Sequence, residues 1–237
     1  MTVFWAGPLW RGPEPVVAAP RDLPLTPRTL PDGTAPLRIV ALGTSLTARG
    51  PWPDHLAARL AACLDHSVEI IRIARPGANV SWAAHPDRIA AVVAEAPDIV
   101  LLEFAINDAD LRDGLAREAA DALTRGLLED LAEAVPEAAL IEMTMSPARG
   151  ARGLLRPGLA ARYGDVVARG GDANRGVVDL YTRWIALPRH QRGLADGLHP
   201  DPSIAAQVTV PPLAAYLAEG FGAACPQDQP LEPLPPS

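Results

Sequence analysis

The sequence predicts a three-layer α/β/α sandwich built on a mainly parallel, five-stranded sheet. Two observations carry this. Five short runs rich in Val, Ile and Leu recur along the chain, and each is followed by a stretch with helical spacing of its apolar residues. Continuous apolar strands separated by helices are the pattern of a parallel sheet covered on both faces.

In chain order, the strand candidates are Leu37–Leu42, Val68–Ala74, Ile99–Phe104, Leu140–Met145 and Val177–Tyr181. Helical periodicity runs over residues 53–64, 86–96, 115–134, 158–169 and 203–219. There is no internal repeat. Eight prolines fall between Pro8 and Pro36, and "CPQDQPLEPLPPS" closes the chain. Residues 1–36 are therefore expected to be a proline-rich arm, 37–222 the folded domain and 223–237 a proline-rich tail.

Composition narrows the function. With 237 residues, 49% of them hydrophobic, the chain is long enough to bury one sizeable core. A net charge of −7 without a basic run argues against electrostatically driven nucleic-acid binding and leaves a small neutral substrate as the simpler partner. All 21 basic residues are arginines. Chemistry that needs a lysine amine is thereby excluded: a Schiff base, a serine–lysine dyad or a P-loop lysine. Cys63 and Cys225 stand far apart and outside any CxxC pattern, so both are expected to be plain thiols. The N-terminal residues lack the basic start and uninterrupted apolar run of a signal peptide, and no stretch is long and apolar enough for a membrane span. A cytoplasmic location is the expectation.

Ligands of a parallel sheet sit beyond the carboxyl ends of its strands. Polar residues gather there: Ser45 after the first strand, Gly77 and Asn79 after the second, Asn107 and Asp108 after the third, Thr144 and Ser146 around the end of the fourth. The late segment "LADGLHPD" adds Asp196 and His199 in a turn. A serine at a tight strand-to-helix turn presents its hydroxyl to the cleft, while the amides of the helix N-terminus favour developing negative charge. His199 can take the serine proton near pH 7, and Asp196 can hold the imidazole tautomer. Taken singly, each residue has a plainer role: Ser45 as a helix cap, Gly77 as a turn glycine, Asn107 and Asp108 as capping residues, Asp196 and His199 as loop braces.

Together, "GTSLT" around Ser45, "RPGAN" around Gly77, "AIND" at 105–108 and "DGLH" at 196–199 resemble the four signature blocks of the SGNH hydrolases, the GDSL-type esterases and lipases, in the family's order. The resemblance covers roughly residues 38–205. It implies a flavodoxin-like sandwich, Ser45 as nucleophile, His199 as base and Asp196 as its partner. It implies an oxyanion hole made by the Ser45 and Gly77 amides and the Asn107 side chain. Two positions depart from the family pattern: Thr44 stands where aspartate is usual, and Ala105 where glycine is usual. The β-methyl of Ala105 is expected to narrow the approach to Asn107.

Thr44, Trp52, Asn79, Trp82 and Asp108 are further candidates for the substrate pocket. His55, His66, His85 and His190 show no metal-ligand spacing, and Asp108 and Asp110 have too few carboxylate neighbours to suggest a hard-metal site, so neither metal nor cofactor is expected. The expected activity is hydrolysis of a carboxylic ester through an acyl-serine, on a small-molecule or carbohydrate ester with a short acyl group. An acyltransferase using the same residues, or a binding module that keeps the fold without turnover, are the alternatives.

Overall fold

The computed structural model describes residues 18–170, 174–228, 230 and 231. The prolines before residue 18 and the end of the tail lie outside the described residues. Five strands, β1 (Leu37–Gly43), β2 (Val68–Ala74), β3 (Ile99–Glu103), β4 (Ala139–Thr144) and β5 (Arg175–Asp179), pair in the order β2-β1-β3-β4-β5. Every pairing is parallel. The α-helices among the described residues are α1 (Ser45–Ala48), α2 (Trp52–Leu64), α3 (Val80–Ala83), α4 (Pro86–Ala94), α5 (Ala105–Asp108), α6 (Arg117–Ala134), α7 (Gly150–Leu154), α8 (Leu159–Arg169), α9 (Leu180–Ala186) and α10 (Pro202–Gly220).

Alternation along β1 builds the layers. In β1, Leu37, Ile39 and Ala41 face one core with α2, α8, α9 and α10, while Val40 and Leu42 face the other with α3, α4 and α6. β3 and β4 are buried along their whole length, as a strand covered on both faces must be. This is the α/β/α sandwich that the apolar runs predicted, and every expected strand and long helix is present within two residues of its expected ends. The short helices α1, α3, α5, α7 and α9 are too brief to leave a periodic signal. No helix among the described residues is long and apolar enough to cross a membrane.

The strand order reverses at β1, whose neighbours are β2 on one side and β3 on the other. The crevice at such a switch point lies above the carboxyl ends of the two central strands, here the ends that lead into Ser45 and Asn107.

The described part of the N-terminal arm packs on the core. Leu23 forms an antiparallel bridge with Val177 on the outer strand β5, and the Tyr216 hydroxyl donates to the Leu23 carbonyl at 2.6 Å. Asp22 pairs with Arg183 at 2.6 Å, and Leu25 is buried in the core. The arm thus covers a sheet edge that would otherwise expose unpaired backbone groups.

One expectation is corrected. Cys63 and Cys225 are not free thiols but a disulfide, with Cα atoms 5.3 Å apart across 162 residues. Sequence distance hid the pair; the packing of α2 against α10 brings it together. Closing so long a loop restricts the unfolded chain, and Cys225→Ser should lower stability by about 2–5 kcal/mol. Urea unfolding of the variant against the oxidised wild type measures it.

Candidate active site

Ser45 opens α1, directly after its Thr44 cap and two residues after Gly43 ends β1. The cap is held from beneath. Register sets Glu103, the last residue of β3, beside Gly43. Its carboxylate accepts from the Thr44 N–H (2.6 Å), the Thr44 hydroxyl (2.9 Å) and the Thr47 hydroxyl (2.7 Å). A Cβ at Gly43 would lie 2.5 Å from both Glu103 Oε1 and Thr47 Oγ1, so glycine is the residue that lets this carboxylate approach the turn. Burial pushes the Glu103 carboxyl up, the hydrogen bonds from Thr44 and Thr47 pull it part of the way back, and it settles at about 7.

Ser45 Oγ lies 2.9 Å from His199 Nε2, and His199 Nδ1 lies 2.7 Å from Asp196 Oδ2. A carboxylate can only accept, so Nδ1 carries the ring proton and Nε2 is left to accept from the serine hydroxyl. Asp196 Oδ1 also accepts the Leu198 and His199 N–H groups at 2.8 and 2.7 Å. Burial pushes the Asp196 carboxyl up, but the bonds from the His199 ring and these two amides outweigh it and bring it down to about 2. It is ionised across the neutral range.

Gly77 and Asn107 stand beside this pair. Gly77 takes φ +79°, a left-handed conformation, with open space where a Cβ would sit, so its backbone angle rather than crowding calls for glycine. Asn107 is buried and fixed at both ends of its amide: Nδ2 donates to the Ala78 carbonyl at 2.8 Å, and Oδ1 accepts from Arg156 Nη2 at 3.4 Å. Arg156 is itself buried, with Nε on the Ile106 carbonyl (2.8 Å) and Nη2 on Asp110 (2.6 Å).

Two cavities open on either side of Ser45 and His199. One, of about 340 Å³, is largely apolar, with Leu46, Trp52, Met145, Trp184, Pro202 and Ala205 among its walls. The other, of about 160 Å³, contains Gly77, Asn107 and a group of arginines and aspartates.

Of the further pocket candidates, only Trp52 lines a cavity beside Ser45. It does so while almost fully buried, its Nε1 donating to the Leu46 carbonyl at 3.1 Å. The other four are corrected. Thr44 is buried beneath the turn as its cap. Asn79 caps α3 by accepting from the Ser81 and Trp82 N–H groups. Trp82 packs near Phe104 at 6.4 Å between ring centroids, with Arg88 over its ring. Asp108 is buried and accepts from the Val80 N–H at 2.8 Å, which ties α5 to α3. The methyl group of Ala105 is buried in the core and lines neither cavity beside Ser45, so it does not narrow the approach to Asn107. Asp110 is committed to Arg112 and Arg156.

Sequence reasoning missed Glu103, Arg156 and the apolar wall made by Met145, Trp184 and α10. A charge ending the apolar run "IVLLE" was the one local sign of Glu103. The others reach the site from distant segments and leave no local pattern.

Comparison with known proteins identifies the family. The GDSL-like lipase/acylhydrolase family matches residues 41–206, well over half of the chain. The chain belongs to that family. It is a carboxylic-ester hydrolase of the GDSL type. A lipase/acylhydrolase from Enterococcus faecalis is similar at 24% identity and TM-score 0.63, covering 79% of this chain and 97% of that one. An acetyl esterase, solved as a serine-to-alanine mutant with acetate, is similar at 18% identity and TM-score 0.60, with 75% and 96% covered. A carbohydrate esterase family 3 protein from Talaromyces cellulolyticus shows 18% identity and TM-score 0.59, with 77% and 97% covered. No curated protein matches the chain. At these identities the likeness of the solved structures is one of fold.

The raised Glu103 carboxyl has a measurable consequence. Between its ordinary value of 4.5 and about 7, the folded chain keeps a proton that the unfolded chain releases, so stability falls as pH rises across that window. Buried Asp108, also pushed up to about 7 by desolvation, adds to the same decline, so Glu103→Gln, which cannot ionise, should lessen it without abolishing it when melting temperature is followed from pH 5 to pH 8. An equal decline in the variant would show that Glu103 is not its source.

Proposed function

We propose that this protein is a serine esterase that works through an acyl-enzyme, with Ser45 as nucleophile, His199 as base and Asp196 as the residue that fixes the base. The observation that carries the reading is the unbroken run of hydrogen bonds from Ser45 Oγ through the His199 ring to Asp196, placed between an apolar and a polar cavity.

In the first half-reaction Ser45 Oγ bonds to the ester carbonyl carbon while its proton passes to His199 Nε2. Negative charge gathers on the carbonyl oxygen, and the Ser45 and Gly77 amides with the Asn107 amide are the donors assigned to it. The imidazolium then gives its proton to the departing alcohol as the C–O bond breaks. Water repeats the sequence on the acyl-serine and releases the acid. Asn107 suits its part because the Ala78 carbonyl takes one of its amide hydrogens and leaves the other for the oxyanion.

The two cavities divide the ester. The apolar one takes the acyl chain and the polar one the alcohol, since each then meets surface of its own kind. Short acyl esters, with O-acetyl groups on carbohydrates as the first case, remain the proposed substrates. The acetyl and carbohydrate esterases of like fold support this choice. The apolar cavity also has room for chains somewhat longer than acetyl.

The Cys63–Cys225 bridge bears on where the enzyme works. Such bridges persist in oxidising compartments, so we infer a site of action outside the reducing cytoplasm, against the expectation from the N-terminal residues.

Ser45→Ala should lose about a thousandfold or more in kcat/KM and escape labelling by a fluorophosphonate that modifies the wild type at Ser45. A variant retaining a tenth of wild-type activity would remove Ser45 from the role. Asp196→Asn should keep the fold yet lose about a hundredfold or more, because the amide no longer holds the productive tautomer. With p-nitrophenyl esters, turnover should be present on acetate and butanoate and lost on dodecanoate.

A further inference from the structure

The polar cavity carries more positive charge than its own carboxylates neutralise. Four arginines line it, Arg49, Arg112, Arg152 and Arg156, against two aspartates, Asp110 and Asp113, in a chain whose net charge is −7. Asp110 is already saturated: Arg112 grips it through Nε (2.9 Å) and Nη2 (2.6 Å), and Arg156 adds Nη2 at 2.6 Å. Asp113 accepts a long bond of 3.3 Å from Asn79. Arg49 and Arg152 form no ion pair among the described residues, and both line the cavity that holds Gly77 and Asn107.

Like charges gathered in this way repel one another unless an anion lies among them. Burial lowers the Arg156 pKa, and the nearby charges of Arg112 and Arg152 lower it further against the pull of Asp110. A guanidinium is planar, has five donors and no acceptor, and is matched by carboxylate and phosphate oxygens. The partner that such a lining suits is an anion.

We propose that the alcohol portion of the substrate is negatively charged, bearing a carboxylate or a phosphate that Arg49 and Arg152 bind while its ester carbonyl lies at Ser45. This rests on the assignment of the polar cavity to the alcohol, and it narrows the substrate class to esters of anionic alcohols. The apolar cavity has no comparable group: Arg49, which borders both, is its one arginine, and the acyl chain it takes is uncharged.

The test compares three acetate esters that differ in one substituent: 3-acetoxybenzoate, 3-acetoxyphenyl phosphate and the neutral 3-acetoxybenzamide. At low salt, kcat/KM should favour at least one anionic ester over the amide by about tenfold or more, the scale of a hydrogen bond to a charged group. Which anion leads decides between carboxylate and phosphate. Arg49→Gln and Arg152→Gln should each shrink the anion-to-amide ratio about tenfold, and so should raising sodium chloride from about 20 to about 500 mM, which shortens the range of the attraction. A wild-type ratio near one, or a ratio that survives both substitutions, overturns the proposal. An equal loss on charged and neutral esters leaves the ratio intact, places the arginines on the reacting oxygen instead, and overturns it too. If no ester is turned over at all, the acyl-serine reading has failed. Calorimetric titration of the wild-type protein with phenyl phosphate and benzoate, against benzamide, then decides the anion site alone. Binding of an anion that the two substitutions weaken supports it, and no preference over benzamide ends it.

Discussion

A single buried carboxylate holds the turn from which the site is built. Glu103 ends the central strand β3, faces the end of β1 through strict register, and gathers the amide and hydroxyl of Thr44 and the hydroxyl of Thr47. Those three bonds fix how β1 leaves the sheet and where α1 begins, and hence where Ser45 Oγ points. Gly43 exists as glycine because the carboxylate occupies the space of its Cβ. Thr44, which departs from the family's usual aspartate, becomes intelligible here. An aspartate at 44 would set a second carboxylate against Glu103, whereas a threonine hydroxyl can donate to it and still accept from the Leu46 N–H.

A second support serves the other half of the site. Arg156, reaching in from beyond α7, binds the Ile106 carbonyl, the Asn107 side chain and Asp110, so that one buried cation orders the whole "AIND" segment. Both supports are buried and hydrogen-bonded, but only Arg156 is paired with an opposite charge, that of Asp110; Glu103 is held by threonine donors alone, and its carboxyl is pushed up to about 7. They differ in sign and in source: Glu103 comes from the sheet, Arg156 from a connecting segment.

The division between what the sequence disclosed and what it withheld follows from distance along the chain. Strands of parallel sheets are apolar throughout and their helices are amphipathic, so Ile99–Glu103 and Arg117–Ala134 declare themselves locally. Ser45, Asn107, Asp196 and His199 were legible because each sits in a compact block whose neighbours are constrained by the same turn. Trp82 and Asn79 misled for the opposite reason: each stands in or just after a block in sequence, but Trp82 packs near Phe104, and Asn79 is spent on capping α3 and on Asp113, so neither lines a cavity beside Ser45. The Cys63–Cys225 bridge, the Leu23–Val177 edge pairing and the arginine lining depend on which elements meet in three dimensions, and no short window contains that information.

The path of α2 and α10 gives the apolar cavity a particular mechanical character. Trp52 and Pro202, the first residues of these helices, stand in its walls, while Cys63 near the end of one helix and Cys225 beyond the end of the other are covalently joined. The helices are packed along their length, like the legs of a pair of tongs riveted at the end away from the grip. α2 alone spans roughly 18 Å at 1.5 Å per residue, so the rivet lies far from Ser45 and touches no reacting atom. The spacing of Trp52 and Pro202 in the cavity wall is therefore set by interhelical packing, which a covalent bond at the far end of the two helices holds without touching Ser45.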